Sequence, residues 1–415
     1  MADKTVIDQA EINIGMIGHV DHGKSTLVQA FSGKFPDTHS EELRRGISIR
    51  LGYADCEFRK MKDGTYTSEN KKGSTLARRI SFVDAPGHEV LMATMLSGAA
   101  IMDAVVLVIS ATEPVPMPQT REHLAAMNII DMHNLIVAQN KIELISEEEA
   151  IKNFEDIQRF LDEEWKHDAK NVPIIPISAI HQTNLDVLIE QIETKFLTPK
   201  RDSGVSPLML IARSFDTNKP GMAPQDFKGG IVGGSISQGI LEIGQEIEIR
   251  PGINVNGKWG PLISKVSSLQ SGFGNLEKAI PGGLLGVGTE LDTSLTKNDK
   301  LVGHVLGVPG ELPPIYSTIE FKATFLDRVV GTKDEDTKVP NVPKGSKLMI
   351  NIGTAKTVGT VQKSVQKGRT GKFTLELVLP ICAEKDTRLA VSMLIDRRWR
   401  LIGYGNLTGG TAILE

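Results

Sequence analysis

The sequence predicts an α/β domain with a doubly wound, mostly parallel sheet, followed by two all-β barrel domains. Residues 18–25 fit the pattern G-x-x-x-x-G-K-[ST] between a short apolar strand and a helix. Apolar strands then alternate with helical segments over roughly 200 residues, which is typical of a doubly wound sheet. Beyond residue 204, short alternating strands separated by Gly and Pro turns indicate barrels.

The length and composition are those of a globular protein with several domains. A chain of 415 residues suggests about two to four domains, and 40% hydrophobic with 24% charged residues exclude a disordered chain. The formal charge of −4 is mild, so a polyanionic partner must bind to local patches. Cys56 and Cys382 form no metal or disulfide motif, no apolar run reaches about 18 residues, and the N-terminus has no signal-peptide pattern. We therefore expect a reducing, cytoplasmic location.

The segment at residues 18–25 is predicted to bind the phosphates of a nucleoside triphosphate. Residues 12–17 form the strand before it and residues 24–31 the helix after it, which makes the alternative, a glycine-rich turn that binds nothing, the weaker interpretation. Backbone N–H groups surround phosphate oxygens in such a loop, while Lys24 reaches the outer phosphates and Ser25 holds Mg²⁺. The predicted nucleotide-contacting residues are His19, Val20, Asp21, His22, Gly23, Lys24, Ser25 and Thr26.

Two further segments are predicted to respond to the γ-phosphate. Ser48 lies in a polar segment at residues 39–53 and offers a hydroxyl to Mg²⁺, although taken alone it is simply a loop serine. A predicted strand ends at Asp84, which is placed to hold Mg²⁺ through water, and Gly87 is placed to donate its N–H to the γ-phosphate. His88 follows, where a side chain orients the attacking water, although an isolated histidine is more often structural.

A third pair of segments is predicted to recognise the guanine base. Asn140, Lys141 and Glu143 follow an apolar strand in the arrangement Asn-Lys-x-Asp, with glutamate replacing the aspartate that accepts hydrogen bonds from the base. The extra methylene changes the geometry, and guanine affinity is the quantity that it affects most. After the next strand, Ser178, Ala179 and Ile180 form a short turn that is predicted to present backbone N–H groups to the guanine oxygen.

Periodicity predicts the other elements of the first 200 residues. Residues 60–74, rich in Lys, Gly, Ser and Asn, are predicted to be an exposed, mobile insertion. The predicted strands are residues 79–83, 103–110, 135–139 and 172–177. The predicted helices are residues 89–102, 119–130, 146–166 and 184–196.

The second half divides at a Gly- and Pro-rich break at residues 307–314. The predicted domains are residues 1–204, 205–311 and 312–415, the last two being barrels with strands at residues 208–215, 230–236, 245–250 and 318–325. Residues 396–400 (Asp-Arg-Arg-Trp-Arg) resemble a nucleic-acid patch. We favour a strand with Trp399 inward and both Arg398 and Arg400 outward.

A nucleotide-binding domain followed by two barrels is similar to the translational GTPases of the elongation factor Tu class, as is the segment Pro-Gln-Thr-Arg-Glu-His at residues 118–123. Four longer segments resemble the gamma subunit of archaeal and eukaryotic translation initiation factor 2. They are residues 39–46, 84–100, 213–221 and 229–235. The resemblance covers nearly the whole chain, and the short N-terminus is similar to the archaeal members.

The resemblance implies a GTPase that is slow without partners, carries methionylated initiator tRNA to the small ribosomal subunit in a GTP-dependent way, and assembles with alpha and beta subunits. It also implies that Ser25 and Ser48 hold the catalytic Mg²⁺, that Asp21 and the carbonyl of Gly46 share a second cation, and that His88 positions water. Many archaeal relatives carry a four-cysteine zinc knuckle near the 60–74 insertion. This chain has only Cys56 nearby, so we expect no zinc there.

Two other functions are compatible with parts of the pattern. One is an elongation-type GTPase that carries an aminoacyl-tRNA, as in elongation factor Tu or a selenocysteine-specific factor. The other is a nucleotide-dependent scaffold that does not hydrolyse. The intact residues Lys24, Asp84, Gly87 and His88 argue against the scaffold, and the four longer segments favour initiation over elongation.

Overall fold

The structure is a computed structural model that describes residues 8–36, 51–86, 92–219, 221–223, 226–329 and 337–414. Its first sheet has seven strands: β1 Ile12–Ile17, β2 Gly52–Lys60, β3 Tyr66–Thr67, β4 Thr75–Asp84, β5 Ala104–Ser110, β6 Leu135–Asn140 and β7 Ile174–Pro176. Their order is β3-β2-β4-β1-β5-β6-β7, and β4, β1, β5, β6 and β7 are parallel. Strands β2 and β3 are antiparallel additions at one edge.

In the described part of this domain, five helices cover the two faces of the sheet: α1 Lys24–Ser32, α2 Met92–Ala99, α3 Pro118–Ile130, α4 Glu147–Glu164 and α5 Leu185–Lys195. Apolar residues of α1 and α5 pack on one face, and those of α2, α3 and α4 pack on the other. Every residue of β1, β5 and β6 is buried, as expected for parallel strands that are covered on both sides. The doubly wound first domain is therefore confirmed.

Local sequence signals correctly predict the end of α1 and the start of α4. Helix α1 ends at Gly33, whose φ of 69° is the left-handed conformation that glycine adopts easily. Helix α4 begins with a capping box, because Ser146 accepts from the Glu149 N–H and the Glu149 side chain accepts from the Ser146 N–H.

Other predicted boundaries were wrong. The insertion predicted at residues 60–74 is mostly exposed as expected, but its residues Tyr66 and Thr67 form β3, which pairs with β2. Strand β4 begins at residue 75 rather than 79, and the strand predicted at residues 172–177 covers only three residues. The helix predicted at residues 89–102 ends at Ala99, because a turn follows it, and its start lies outside the described residues.

The second part of the chain is antiparallel. Its strands are β8 Leu208–Phe215, β9 Ile231–Gln238, β10 Leu241–Glu242, β11 Glu246–Val255, β12 Lys258–Ser271, β13 Gly274–Leu276, β14 Lys278–Ala279, β15 Leu285–Thr289 and β16 Val305–Gly307, with a short helix α6 Thr293–Thr296. The main sheet has the order β11-β16-β8-β9-β15-β12-β13. Because β11 also pairs with β12, six of these strands close into a ring around an apolar core.

The third part is a closed barrel of six strands in the order β17-β20-β19-β18-β21-β22. The strands are β17 Ile315–Phe325, β18 Lys347–Ile352, β19 Ala355–Lys367, β20 Thr370–Cys382, β21 Arg388–Ile395 and β22 Arg398–Leu414. Stacked Phe321 and Phe373, with Phe325 edge-on to Phe373, lie in its core. The predicted succession of an α/β domain and two barrels is confirmed.

The three parts contact one another through polar side chains. Asn13 of β1 donates to Ser235 Oγ of β9 at 3.0 Å, and Arg213 of β8 donates to the Leu51 carbonyl at 3.3 Å. Arg400 of β22 forms an ion pair with Glu122 of α3 at 3.1 Å. The first domain thus covers Arg400, whereas Arg398 is exposed. Within the described residues, no helix combines the length and the apolar character that crossing a membrane requires.

Candidate nucleotide-binding site

The predicted site residues meet at one edge of the first sheet. Strands β1, β4, β6 and β7 are parallel, so their carboxyl ends lie on the same side. The loops that leave these ends carry the phosphate loop (residues 18–25), Asp84, Asn140 and residues 178–180. Ligands of doubly wound sheets bind at this edge.

The phosphate loop has the conformation that its glycines permit. Gly23 has a φ of 93° and begins α1, and a Cβ atom there would lie 2.3 Å from Nδ2 of Asn140. Gly18 has a φ of 136°, and a Cβ atom there would lie 2.2 Å from the Val108 carbonyl oxygen. Any larger residue at either position would push the loop away from the sheet, so both glycines are required for its close approach.

The side chains of the loop hold its shape and offer a cation site. The Lys24 ammonium donates to the carbonyl oxygens of Gly18 at 3.1 Å and His19 at 2.6 Å, so it lies across the loop. Ser25 donates to the Asp84 carboxylate at 2.5 Å, and Asp84 is fully buried. A hydroxyl and a carboxylate side by side are the oxygen donors that Mg²⁺ prefers, so this pair fits the ion.

Asn140 joins three of the loops through its side chain. Its Nδ2 donates to the His22 carbonyl at 2.9 Å, and its Oδ1 accepts from the Ala179 N–H at 3.0 Å. Asn140 is only 3% exposed, so these bonds are shielded from water. The phosphate loop, the end of β6 and the 178–180 turn therefore form one hydrogen-bonded unit.

The other residues that are predicted to recognise the base lie around Asn140. Lys141 has a φ of 66° and begins a 3-10 helix, Ile142–Leu144, which places Glu143 on the surface. Ser178 is buried and pairs with Thr183 through backbone hydrogen bonds of 3.0 and 3.3 Å, which closes the turn. The other residues of this turn are Ala179, which is buried, and Ile180, whose exposed fraction is 69%.

A buried histidine from α3 supports the phosphate loop and was not predicted. The backbone N–H of Gly18 donates to Nδ1 of His123 at 2.9 Å, which requires an unprotonated Nδ1. Burial, reinforced by the charge of Lys24, lowers the pKa of His123 to about 3, so the ring is neutral at physiological pH. The two residues are 105 positions apart, and only the resemblance of residues 118–123 to the elongation factor Tu class pointed to this segment.

His22 is held in a similar way from β5. Its Nδ1 donates to the Val108 carbonyl at 3.1 Å, and burial lowers the pKa of His22 to about 4. The neutral ring therefore carries its proton on Nδ1, and Nε2 faces the Glu113 carboxylate at 3.4 Å. Burial also lowers the pKa of His19, whose ring centroid lies 5.2 Å from that of His22.

The structure says less about the other residues that are predicted to bind the nucleotide or a metal ion. Asp21 is exposed, with a φ of 62°, while Val20 and Thr26 are partly buried in the loop and in α1. Four predicted positions, Gly46, Ser48, Gly87 and His88, lie outside the described residues. The structure thus brings together the phosphate loop, Asp84 and the base-recognition turns.

Comparisons with known proteins agree with this geometry. Residues 9–198 match the family described as elongation factor Tu GTP binding domain, and residues 317–407 match initiation factor eIF2 gamma, C terminal. Translation initiation factor 2 subunit gamma from Methanocaldococcus jannaschii is 53% identical over 99% of this chain and 100% of the relative. The chain belongs to this gamma-subunit family. The same subunit from Pyrococcus abyssi is 49% identical over 98% of this chain and 99% of the relative.

Solved structures show the same fold at lower identity. Translation elongation factor SelB from Methanococcus maripaludis, in complex with the GTP analogue GPPNHP, has a TM-score of 0.71 and 23% identity, covering 98% of this chain and 81% of that one. A bacterial selenocysteine-specific elongation factor has a TM-score of 0.72 and 22% identity, covering 95% of this chain and 58% of that one.

The family fixes the general activity. This gamma subunit is a translational GTPase that binds guanine nucleotides and acts in translation initiation. The initiation function is thereby favoured over the elongation-type carrier, because the relatives that match over the full length are initiation factors.

Proposed function

We propose that this gamma subunit binds GTP with Mg²⁺ and carries methionylated initiator tRNA to the small ribosomal subunit. In this proposal it works in the cytoplasm as one part of a heterotrimer with alpha and beta subunits. Residues 1–204 serve as the GTP-binding domain, and residues 205–311 and 312–415 as the two barrels. Family membership supports the proposal, and a contact between the first domain and the second barrel carries its mechanism.

That contact joins α2 to β18. The Asn351 side chain donates from Nδ2 to the Ala93 carbonyl at 2.9 Å and to Ser97 Oγ at 3.2 Å. Helix α2 follows Asp84 closely in the chain, so its position depends on the segment that contains Gly87. A rearrangement of that segment on hydrolysis would move α2 against the second barrel and change the surface that tRNA meets.

The phosphate site divides its tasks among the residues of the loop. Backbone N–H groups of residues 19–26 contact phosphate oxygens, and Lys24 leaves its carbonyl partners to contact the outer phosphates. Ser25 and Ser48 hold Mg²⁺ directly and Asp84 holds it through water. Mg²⁺, when bound, neutralises charge on the β- and γ-phosphate oxygens.

The hydrolytic step depends on the segment after β4. His88 orients the attacking water and Gly87 donates its N–H to the γ-phosphate, so the same segment promotes hydrolysis and senses its result. Asp21 and the Gly46 carbonyl share a second cation. The sequence has no arginine at an obvious finger position, so we expect slow hydrolysis without a partner, since such a residue is worth about 10³ to 10⁵ in rate.

Base recognition falls mainly to Glu143. Both polar atoms of the Asn140 side chain already bond to His22 and Ala179, so Asn140 holds the loops in place. The exposed Glu143 carboxylate is the acceptor for the N–H groups of guanine. The backbone of Ser178, Ala179 and Ile180 donates to the guanine oxygen, and Lys141 completes the set.

A filter-binding comparison of two tRNAs tests the cargo directly. The gamma subunit, with alpha and beta subunits supplied and a non-hydrolysable GTP analogue bound, should bind methionylated initiator tRNA more tightly than an elongator aminoacyl-tRNA. The unacylated initiator tRNA is the matched control. Equal affinity for both aminoacylated tRNAs would contradict the proposed cargo and favour the elongation-type carrier.

A further inference from the structure

Three metal-ligating side chains lie together at the end of the first domain, far from the phosphate loop in the chain. Asp131 follows α3, His133 lies two residues later, and His167 lies in the turn after α4. One ligand atom from each residue lies within 4.8 Å of the other two. The predicted nucleotide site uses none of these residues.

The local geometry leaves the three groups available to a cation. Nε2 of His133 lies 3.6 Å from Oδ2 of Asp131, and the rings of His133 and His167 have centroids 4.1 Å apart. Nε2 of His167 is buried and makes no hydrogen bond to the described residues. Two imidazole rings this close to each other and to a carboxylate have the arrangement expected of ligands to a single metal ion.

Two neighbouring cations, Arg388 and Lys166, contact other groups at this boundary between the first domain and the second barrel. The Arg388 guanidinium donates from Nε to the Ile129 carbonyl and lies 4.5 Å from the centre of the Tyr404 ring. Lys166 also lies over Tyr404, at 5.6 Å. The approach of Arg388 to Asp131 is 4.0 Å, which is longer than a hydrogen bond, so the carboxylate keeps lone pairs for a metal.

We propose that Asp131, His133 and His167 bind a divalent transition-metal ion, with Zn²⁺ as the representative case. Two imidazoles and one carboxylate suit Zn²⁺, Ni²⁺ and Cu²⁺ better than Mg²⁺. The three atoms need to close by less than about 2 Å to reach the spacing of ligands around zinc, and two of the side chains are exposed and able to move. Water completes the coordination from a cavity of about 470 Å³ that Asp131 and His133 also line.

The bound ion would tie the end of α3 to the turn after α4, beside the contact with the second barrel. Asp131 and His133 are exposed, so the packed core does not depend on these two side chains, whereas the ring of His167 packs against Trp165. This site is therefore separate from a structural zinc knuckle, which the 60–74 insertion cannot form with Cys56 alone.

The test measures Zn²⁺ binding by competition with a chromophoric chelator, using the full chain saturated with GDP and Mg²⁺. We expect one ion that His133→Ala and His167→Ala each weaken at least about tenfold. His181→Ala removes another exposed histidine and is the matched control, with unchanged affinity expected. The proposal would be overturned if the His133→Ala and His167→Ala variants bound zinc as tightly as the intact chain does. It would also be overturned if the intact chain bound no zinc.

A second readout separates metal binding from a folding defect. In EDTA, the thermal midpoint of His133→Ala should equal that of the intact chain, because the side chain is exposed. Added Zn²⁺ should raise the midpoint of the intact chain and of His181→Ala, but not that of His133→Ala. Cobalt substitution should give visible d–d bands without thiolate charge transfer, and thiolate bands would place the ion elsewhere.

Discussion

The Glu122 carboxylate of α3 lies 3.1 Å from the Arg400 guanidinium of β22, and both side chains are largely buried. This ion pair joins the helix that supports the phosphate loop, through His123, to the second barrel. Burial raises the pKa of Glu122 to about 7, and the charge of Arg400 opposes this shift without overcoming it. The charge of Glu122 therefore depends on the contact between the first domain and the second barrel.

Replacing Arg400 with alanine should destabilise the protein. The change leaves a buried carboxyl without its cation, and Glu122 then takes up a proton at neutral pH, so we expect a loss of about 1–3 kcal/mol. Urea unfolding followed by circular dichroism measures the effect. Lys372→Ala, an exposed change in β20, is the control and should alter stability by less than about 0.5 kcal/mol. Equal stabilities of the two variants would contradict a stabilising role for the pair.

Glu122 should also give the protein a distinctive pH dependence. Between pH 4.5 and about 7 the unfolded chain has lost the Glu122 proton while the folded protein retains it, so the contribution of this group to stability falls as pH rises. The fall should amount to at most about 3 kcal/mol. Glu122→Gln cannot ionise, so its stability relative to the intact protein should increase from pH 4.5 to 8. A constant difference between the two proteins across this range would show that the pKa of Glu122 is not raised.

His123 should control nucleotide affinity without touching the nucleotide. His123→Ala leaves the buried Gly18 N–H without its acceptor, at a cost of about 1–3 kcal/mol to the phosphate-loop conformation, or roughly 5- to 150-fold in affinity. His123→Asn retains an acceptor at the δ position and should recover part of the loss. Titration with a fluorescent GDP analogue measures both variants. An alanine variant with normal affinity would indicate that the Gly18–His123 bond does not hold the loop.

His88 should affect hydrolysis rather than binding. His88→Ala leaves the phosphate loop, Asn140 and Glu143 intact, so GTP affinity should not change while the rate of hydrolysis falls. The measurement is phosphate release at saturating GTP, with any stimulating partners present. Unchanged turnover would remove His88 from the mechanism.

The predictable parts of the site are those encoded by adjacent residues. A sequence motif and the apolar runs beside it predict the phosphate loop, α1 and the position of Asp84. The contacts of Gly18 with His123 and of Glu122 with Arg400 span 105 and 278 residues, and no local pattern encodes such pairs. Strand alternation likewise cannot reveal that the first domain covers Arg400.

The sequence did not predict the short strand β3, for a different reason. Strand β3 has only two residues and lies among Lys, Gly and Ser, so its composition indicates a loop. Pairing with β2, through Arg59 opposite Thr67 and Lys60 opposite Tyr66, determines its structure instead. Tertiary context thus overrides local preference at this edge of the sheet.

The central claim is that the nucleotide state controls tRNA affinity through α2 and the second barrel. The decisive measurement is the affinity for methionylated initiator tRNA with GDP and with a non-hydrolysable GTP analogue, alpha and beta subunits being present. We expect tighter binding with the analogue, by roughly 5- to 150-fold for a coupling of about 1–3 kcal/mol. Asn351→Ala, which removes the bonds to Ala93 and Ser97, should reduce this ratio, and Lys347→Ala, an exposed change in the same strand, should preserve it. An intact protein that binds the tRNA equally well with both nucleotides would contradict the claim.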